Sequence, residues 1–259
     1  MPELPEVESF RNHFDQTSLN EGVKDVIIRN GYILKMDKNK FLKAIKGKTF
    51  QSSRRYGKYL FIGLGEGYLL LHFGMSGNLQ YFEQMGDEPE YSKIIFQFES
   101  GKYLSIISIR KLGKVKIVEN LDEYIKEKEL GPDALRISRE KFMEKMKKKR
   151  SYLKTALMDQ ETICGIGNIY SDEILFQARM HPKKKINKLS DSEMEGLYNN
   201  THDVLETSVE RVIAEKEIPE GFLIPHRDKE EKCPQCGSEI KRLKVSNRHG
   251  YYCPPCQKR

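Results

Sequence analysis

The spacing of apolar side chains divides the chain into stretches of different period. Residues 6–17 set Val7, Phe10 and Phe14 three and four apart, the repeat of one helix face. Pro5 and the acidic residues around it suit a helix start near Leu4. From about Val23 to Val118 the apolar runs shorten and fill with β-branched and aromatic residues, as in VKDVIIRNGYIL, KYLFIGLGEGYLLLHF and KIIFQFESGKYLSII. GLGEGY and FESGKY read as hairpin turns between strands. Closely spaced strands of this kind predict a β-sandwich or barrel, with the first helix packed on it.

After Gly131-Pro132 the period becomes helical. Residues 138–160 and 170–178 read as helices, and Ser190 with Glu193 forms a capping-box pattern ahead of a longer one. Met194, Leu197, Tyr198, Leu205, Val209, Val212 and Ile213 mark the apolar face of that helix. Residues from about Glu215 to Lys232 read as a linker, and no internal repeat is visible. The expected fold is α+β and multidomain: an N-terminal helix plus β-sandwich over residues 1–128, a helical domain over 129–227 and a C-terminal module over 228–259.

Composition narrows the partners. Over 259 residues Lys and Arg outnumber Asp and Glu by 45 to 38, a net charge of +7 that is compatible with a polyanion without being diagnostic. With no run of 18 apolar residues and no signal-peptide pattern, a soluble cytoplasmic protein without a membrane partner is expected.

Cysteine usage adds a metal. Cys233-Pro-Gln-Cys236 and Cys253-Pro-Pro-Cys256 are two C-x-x-C pairs separated by sixteen residues. Each pair sets two thiolates on one side of a tight turn, and together they complete a tetrahedral zinc site. Four protein thiolates leave no open position, so one structural Zn²⁺ per chain is expected. The basic stretch between the pairs, KRLKVSNRHGYY, suits a hairpin that touches phosphates. Cys164 reads as a buried small residue.

The first residues carry the candidate chemistry. Initiator methionine is normally removed before a small residue, which would give Pro2 a free secondary amine able to form an iminium adduct with an aldehyde-like carbon. Glu3 and Glu6 then lie beside that amine, placed for proton transfer. If Met1 is retained, the Pro2 nitrogen is an amide without a nucleophilic lone pair.

MPELPEVE resembles the N-terminus of the formamidopyrimidine-DNA glycosylase / endonuclease VIII family, and further motifs continue the resemblance in order along the chain. The resemblance implies Pro2 as nucleophile, Glu3 in proton transfer and Lys58, in RRYGKYL, as a DNA-binding lysine near the proline. HFGMSG, residues 72–77, matches a family signature that opens on His72 and whose methionine, here Met75, enters the gap left by an extruded nucleotide. LMDQETICGIGNIYSDEILFQARMHP, residues 157–182, resembles the family's helix-two-turn-helix region, with Asn168 matching a phosphate-binding asparagine. Arg248, between the cysteine pairs, lies where the family grips phosphates flanking a lesion, and the C-terminal module matches a zinc-ribbon finger. Glu6 and His72 are counted with the DNA-binding residues on the same ground. Taken singly, Lys58 is equally a lysine closing a β-turn, Asn168 an Asx cap in a glycine-rich turn and Met75 a core methionine.

The chain departs from the purine-lesion branch at Ser108-Ile109-Arg110-Lys111-Leu112-Gly113. Arg110 keeps the position that faces the orphaned base, but Leu112 replaces an aromatic wedge with less stacking area. The long loop that caps oxidised guanine in that branch is shortened to residues 215–224. MPELPEVE and GIGNIYSDE nevertheless stand closer to that branch, and lesion preference stays open.

The resemblance implies a monomeric bifunctional DNA glycosylase/AP lyase of base-excision repair. Such an enzyme removes oxidised or ring-opened bases from duplex DNA through a Pro2 Schiff base and cleaves the strand by β/δ-elimination. Two alternatives belong to other classes: a catalytically inactive damaged-DNA-binding protein of the same fold, and an unrelated zinc-ribbon protein of transcription or RNA metabolism.

Overall fold

Short apolar runs bounded by tight turns pair as antiparallel strands in the computed structural model, which describes residues 1–228 and 230–258. Helix α1 (Leu4–Thr17) leads into β1 (Val23–Ile28) and a short helix α2 (Lys38–Ile45). Seven strands follow: β2 (Ser52–Tyr56), β3 (Tyr59–Gly63), β4 (Tyr68–His72), β5 (Gly77–Phe82), β6 (Ser92–Phe98), β7 (Tyr103–Ser108) and β8 (Lys114–Val118). They form two four-stranded sheets, in the orders β1-β6-β7-β5 and β2-β3-β4-β8. The expected β3–β4 and β6–β7 hairpins are present.

The unbroken apolar runs in β3 and β4 have a physical reason. Successive strand residues point to opposite faces. Leu60, Ile62, Leu69 and Leu71 enter the sandwich core with Phe96 and with Val7 and Phe14 of α1. Their neighbours Phe61 and Leu70 pack on the other face with Tyr124 of α3 (Leu121–Glu127). Both faces are buried, so neither shows polar alternation.

Helix α1 is also held by charge. The buried Arg55 of β2 donates to Glu8 at 2.6 Å, and Arg11 bridges Glu8 and Asp15. Burial raises the Glu8 carboxyl, but hydrogen bonds and charge from Arg11 and Arg55 outweigh it and hold the group below its ordinary value.

The second half contains α4 (Arg139–Lys147), α5 (Leu153–Leu157), α6 (Asn168–Gln177), α7 (Asp191–Ile213) and a hairpin of β9 (Lys241–Val245) and β10 (Arg248–Tyr252). The capping box at Ser190 and Glu193 is formed. Two expectations are corrected. The helix read over 138–160 is split, because residues 151–154 pair with 182–186 instead, as in Leu153 N–H to Lys184 O at 2.9 Å and Ile186 N–H to Ser151 O at 3.2 Å. The stretch read as a linker contributes a core residue, Leu223, and a cation, Arg227, bound to the buried Asp172.

Contacts divide the chain into two units, Met1–Pro2 with Glu6–Lys128 and Glu3–Pro5 with Glu129–Arg259. Among the described residues, no helix is long and apolar enough to cross a membrane.

Candidate functional site

Glu3 is fixed by the glycine-rich turn ahead of α6. Its carboxylate accepts from the backbone N–H groups of Gly167 (2.6 Å), Ile169 (2.9 Å) and Tyr170 (3.3 Å). These are donors that the first turn of a helix leaves unpaired, and the helix dipole favours an anion there. A Cβ at Gly167 would collide with the Glu3 carboxylate, so only glycine admits the approach. The next residue adds a backbone bond, Leu4 N–H to Gly165 O at 3.1 Å. Glu3 is left 1 % exposed.

A buried ionic cluster lies under the same helix. The Lys154 ammonium of α5 donates to Asp172 (2.5 Å), to the Ser171 hydroxyl (2.9 Å) and to the Asn168 carbonyl (3.1 Å). Burial pushes the Lys154 ammonium down, and Asp172 opposes that shift. Asp172 also accepts from Arg227 at 2.8 Å and from the Tyr251 backbone N–H of β10 at 3.0 Å. Gly250 packs so closely on Asp172 and Lys154 that no side chain fits there. One carboxylate thus joins α5, α6, the segment at Arg227 and the hairpin that bears Arg248. The neighbouring Glu173 accepts from Gln177 (2.7 Å) and the Ile224 N–H (2.8 Å), and burial drives its carboxyl up to about 7.

The four finger cysteines gather as the spacing requires. Their sulfurs lie within 4.8 Å of one another. Cys233–Cys256 at 3.8 Å and Cys236–Cys253 at 3.5 Å are far too long for disulfides. Zn–S bonds of about 2.3 Å in a tetrahedron separate sulfurs by roughly 3.8 Å, so the set fits zinc. The finger also bonds to the chain after α6, through Gln257 Nε2 to the Met180 carbonyl at 3.0 Å.

In the first unit the candidates stand at the start of α1 or at strand ends. Pro2 is half-buried, and Glu6 occupies the first turn of α1. Lys58 follows Gly57 in the β2–β3 turn. His72 ends β4 opposite Tyr59, ring to ring at 4.9 Å. Burial, then the charges of Lys114 and Lys58, lower the His72 imidazole to about 4, so it is neutral near pH 7. Its Nδ1 accepts from the Gly74 N–H at 3.3 Å, which leaves the ring proton on Nε2.

Met75, Arg110 and Leu112 are brought together. Gly74 (φ +63°) lies against the Leu112 backbone, where a Cβ would come within 2.5 Å of the carbonyl carbon. Arg110 N–H donates to Ser76 Oγ at 2.9 Å. All three side chains are exposed, Met75 at 42 % and Leu112 at 49 %, so Met75 is no core methionine. In the second unit Asn168 is the first residue of α6, with a buried Oδ1 that has no hydrogen-bond partner, and Arg248 is exposed at the start of β10.

Lys154, Asp172 and Arg227 were not legible as a cluster. The available signal is a lysine set among Leu153, Ala156 and Leu157 and an Asp-Glu pair inside an otherwise apolar helix, charges that need partners when buried.

Family models match the formamidopyrimidine-DNA glycosylase N-terminal domain over residues 1–115, the formamidopyrimidine-DNA glycosylase H2TH domain over 130–217 and a zinc finger found in FPG and IleRS over 230–259. The chain is 30% identical over 273 residues to the formamidopyrimidine-DNA glycosylase of Listeria innocua and 28% identical to that of Streptococcus thermophilus, covering 100% of each chain. The crystal structure of Lactococcus lactis formamidopyrimidine-DNA glycosylase, non-covalently bound to DNA containing an AP site, superposes with a TM-score of 0.88 at 26% identity. That match spans 99% of this chain and 100% of the other. The chain belongs to the formamidopyrimidine-DNA glycosylase family.

Proposed function

We propose that the protein removes oxidised or ring-opened bases from duplex DNA and then cleaves the strand, acting as a monomer in the cytoplasm at the nucleoid. The observation that carries this reading is the Glu3 clamp. Three N–H donors fix the carboxylate of the residue that follows Pro2, where proton transfer needs a group of defined orientation.

After removal of Met1, the Pro2 nitrogen attacks C1′ of an extruded nucleotide. The N–C1′ bond forms as the glycosidic bond breaks, and the base leaves with a proton. Ring opening converts the adduct to an iminium, with Glu3 assisting the proton transfers. Loss of a C2′ proton then expels the 3′ phosphate, and a second elimination expels the 5′ phosphate. Lys58, Asn168 and Arg248 supply positive or N–H contacts to the backbone around the lesion. His72, neutral with its proton on Nε2, adds a donor, and Glu6 stands beside the reacting end. Met75 and Leu112 fill the vacated stack while Arg110 meets the unpaired base. The metal has no step in this chemistry; it holds Arg248's hairpin.

The test is borohydride trapping of Met1-processed protein on duplexes carrying an oxidised purine, a formamidopyrimidine, an oxidised pyrimidine or an abasic site. A covalent adduct is expected that Pro2→Gly abolishes and that Glu3→Gln slows by about 10²–10⁴-fold. The lesion trapped fastest gives the preference. Tight binding with no adduct on any duplex would replace the enzyme with a damaged-DNA-binding protein of the same fold.

A further inference from the structure

The sheet β1-β6-β7-β5 is antiparallel, so the chain leaves β1 and β7 and enters β6 and β5 at one and the same end. Tyr32, Tyr91, Ile109 with Leu112, and Met75 follow or precede those four strands respectively. They are five of the six large apolar side chains exposed among the described residues, and all five stand at this one end of the sheet. Tyr32 is the most open of them, at 68 %.

Tyr32 belongs to the same surface as Leu112. It sits in a tight turn capped by Asn30, whose side chain accepts the Tyr32 N–H at 3.0 Å. The chain after it runs along β8: Leu34 bridges Val115, and Lys35 N–H donates to the Val115 carbonyl at 2.8 Å. Lys111, between Arg110 and Leu112, adopts a left-handed backbone (φ +55°) and lays its ammonium over the Tyr32 ring, 5.1 Å from the centroid. An exposed aromatic face backed by a cation suits a base or sugar with its phosphate. Leu112 offers less stacking area than the ring its relatives' branch places there.

We infer that Tyr32 is a further DNA-contacting residue of the proposed reaction. Its ring rests on the strand opposite the lesion and supplies the aromatic surface that Leu112 lacks. This rests on the base-excision reading of Met75, Arg110 and Leu112. It implies that the protein distinguishes duplex from single-stranded substrate through an edge outside the lesion pocket.

The experiment measures equilibrium binding to an abasic-analogue duplex and to the same lesion strand alone, with borohydride trapping on a true abasic site in both forms. Tyr32→Ala is expected to weaken duplex binding about tenfold while single-strand binding is unchanged. Tyr32→Phe stays within about twofold of the parent, because the ring face and not the hydroxyl makes the contact. Unchanged thermal melting of Tyr32→Ala excludes a folding defect. Duplex binding by Tyr32→Ala equal to the parent's overturns the inference, and so does an equal loss on single strands. An equal loss in Lys111→Met with Tyr32 intact also overturns it, since the ring would then only prop the loop. A parent protein that traps no substrate would instead sink the enzymatic reading, while the binding comparison still decides Tyr32.

Discussion

In the sandwich, Lys58, Met75, Arg110 and Leu112 stand on turns at strand ends, outside the hydrophobic core of the strands beneath them. In the helical unit, Glu3, Lys154 and Asp172 are buried and hold together the elements that carry Asn168 and Arg248. An exposed, turn-mounted residue such as Leu112 can change with little effect on folding. A buried charge that several elements share cannot. Under the proposed function, lesion choice is therefore free to vary in the first unit, while the second holds its DNA contacts and its stability in the same bonds.

The largest test of this contrast is removal of zinc. Structural zinc contributes about 10–16 kcal/mol in isolated fingers, so chelation is expected to unfold the β9–β10 hairpin and weaken DNA binding severalfold. Hydrogen exchange should rise over residues 233–257 and stay unchanged in β3 and β4; equal loosening of both units would break the contrast.

Next in size is Asp172→Ala, which leaves Lys154 buried without its anion. A loss of about 3–5 kcal/mol is expected, against less than about 0.5 kcal/mol for the surface change Leu112→Ala. Denaturant unfolding measures both, and similar small losses would show that the buried cluster is not what joins these elements.

The smallest effect sharpens the comparison by its sign. His72 is depressed to about 4 from 6.5, so its contribution is complete above pH 6.5 and lost as pH falls toward 4. Glu173 is raised to about 7 from 4.5, so its contribution is complete below pH 4.5 and lost as pH rises toward 7. Each is worth at most about 3 kcal/mol, and between pH 4.5 and 6.5 the two slopes oppose. Removing one group at a time exposes the other: His72→Gln should make the protein lose stability with rising pH over that range, and Glu173→Gln should make it gain. Flat profiles in both variants would assign the pH dependence elsewhere.

Much of this is legible in the sequence. Hairpin turns, the capping box at Ser190 and the cysteine quartet rest on local rules of spacing and turn chemistry, and the MPELPEVE and GIGNIYSDE motifs on a resemblance. The missed features depend on distant partners. The run at 148–154 has helical composition, yet residues 151–154 bond through their backbone to residues 182–186, and tertiary pairing overrides propensity there. Arg227 sits in a polar stretch that resembles a connector, and only the fold brings Asp172 to it. Tyr32 stands out only once β1, β6, β7 and β5 are known to share an end.

The bond from Glu3 to Gly167 spans 164 positions of chain. At synthesis rates of 5–20 residues per second, the donors for Glu3 follow it by roughly ten to thirty seconds. A nascent chain or a truncated product therefore lacks the donors that hold Glu3 in place. On the proposed mechanism, competence to cut DNA arrives late in the making of the molecule, a safeguard for an enzyme whose intermediates would be strand breaks.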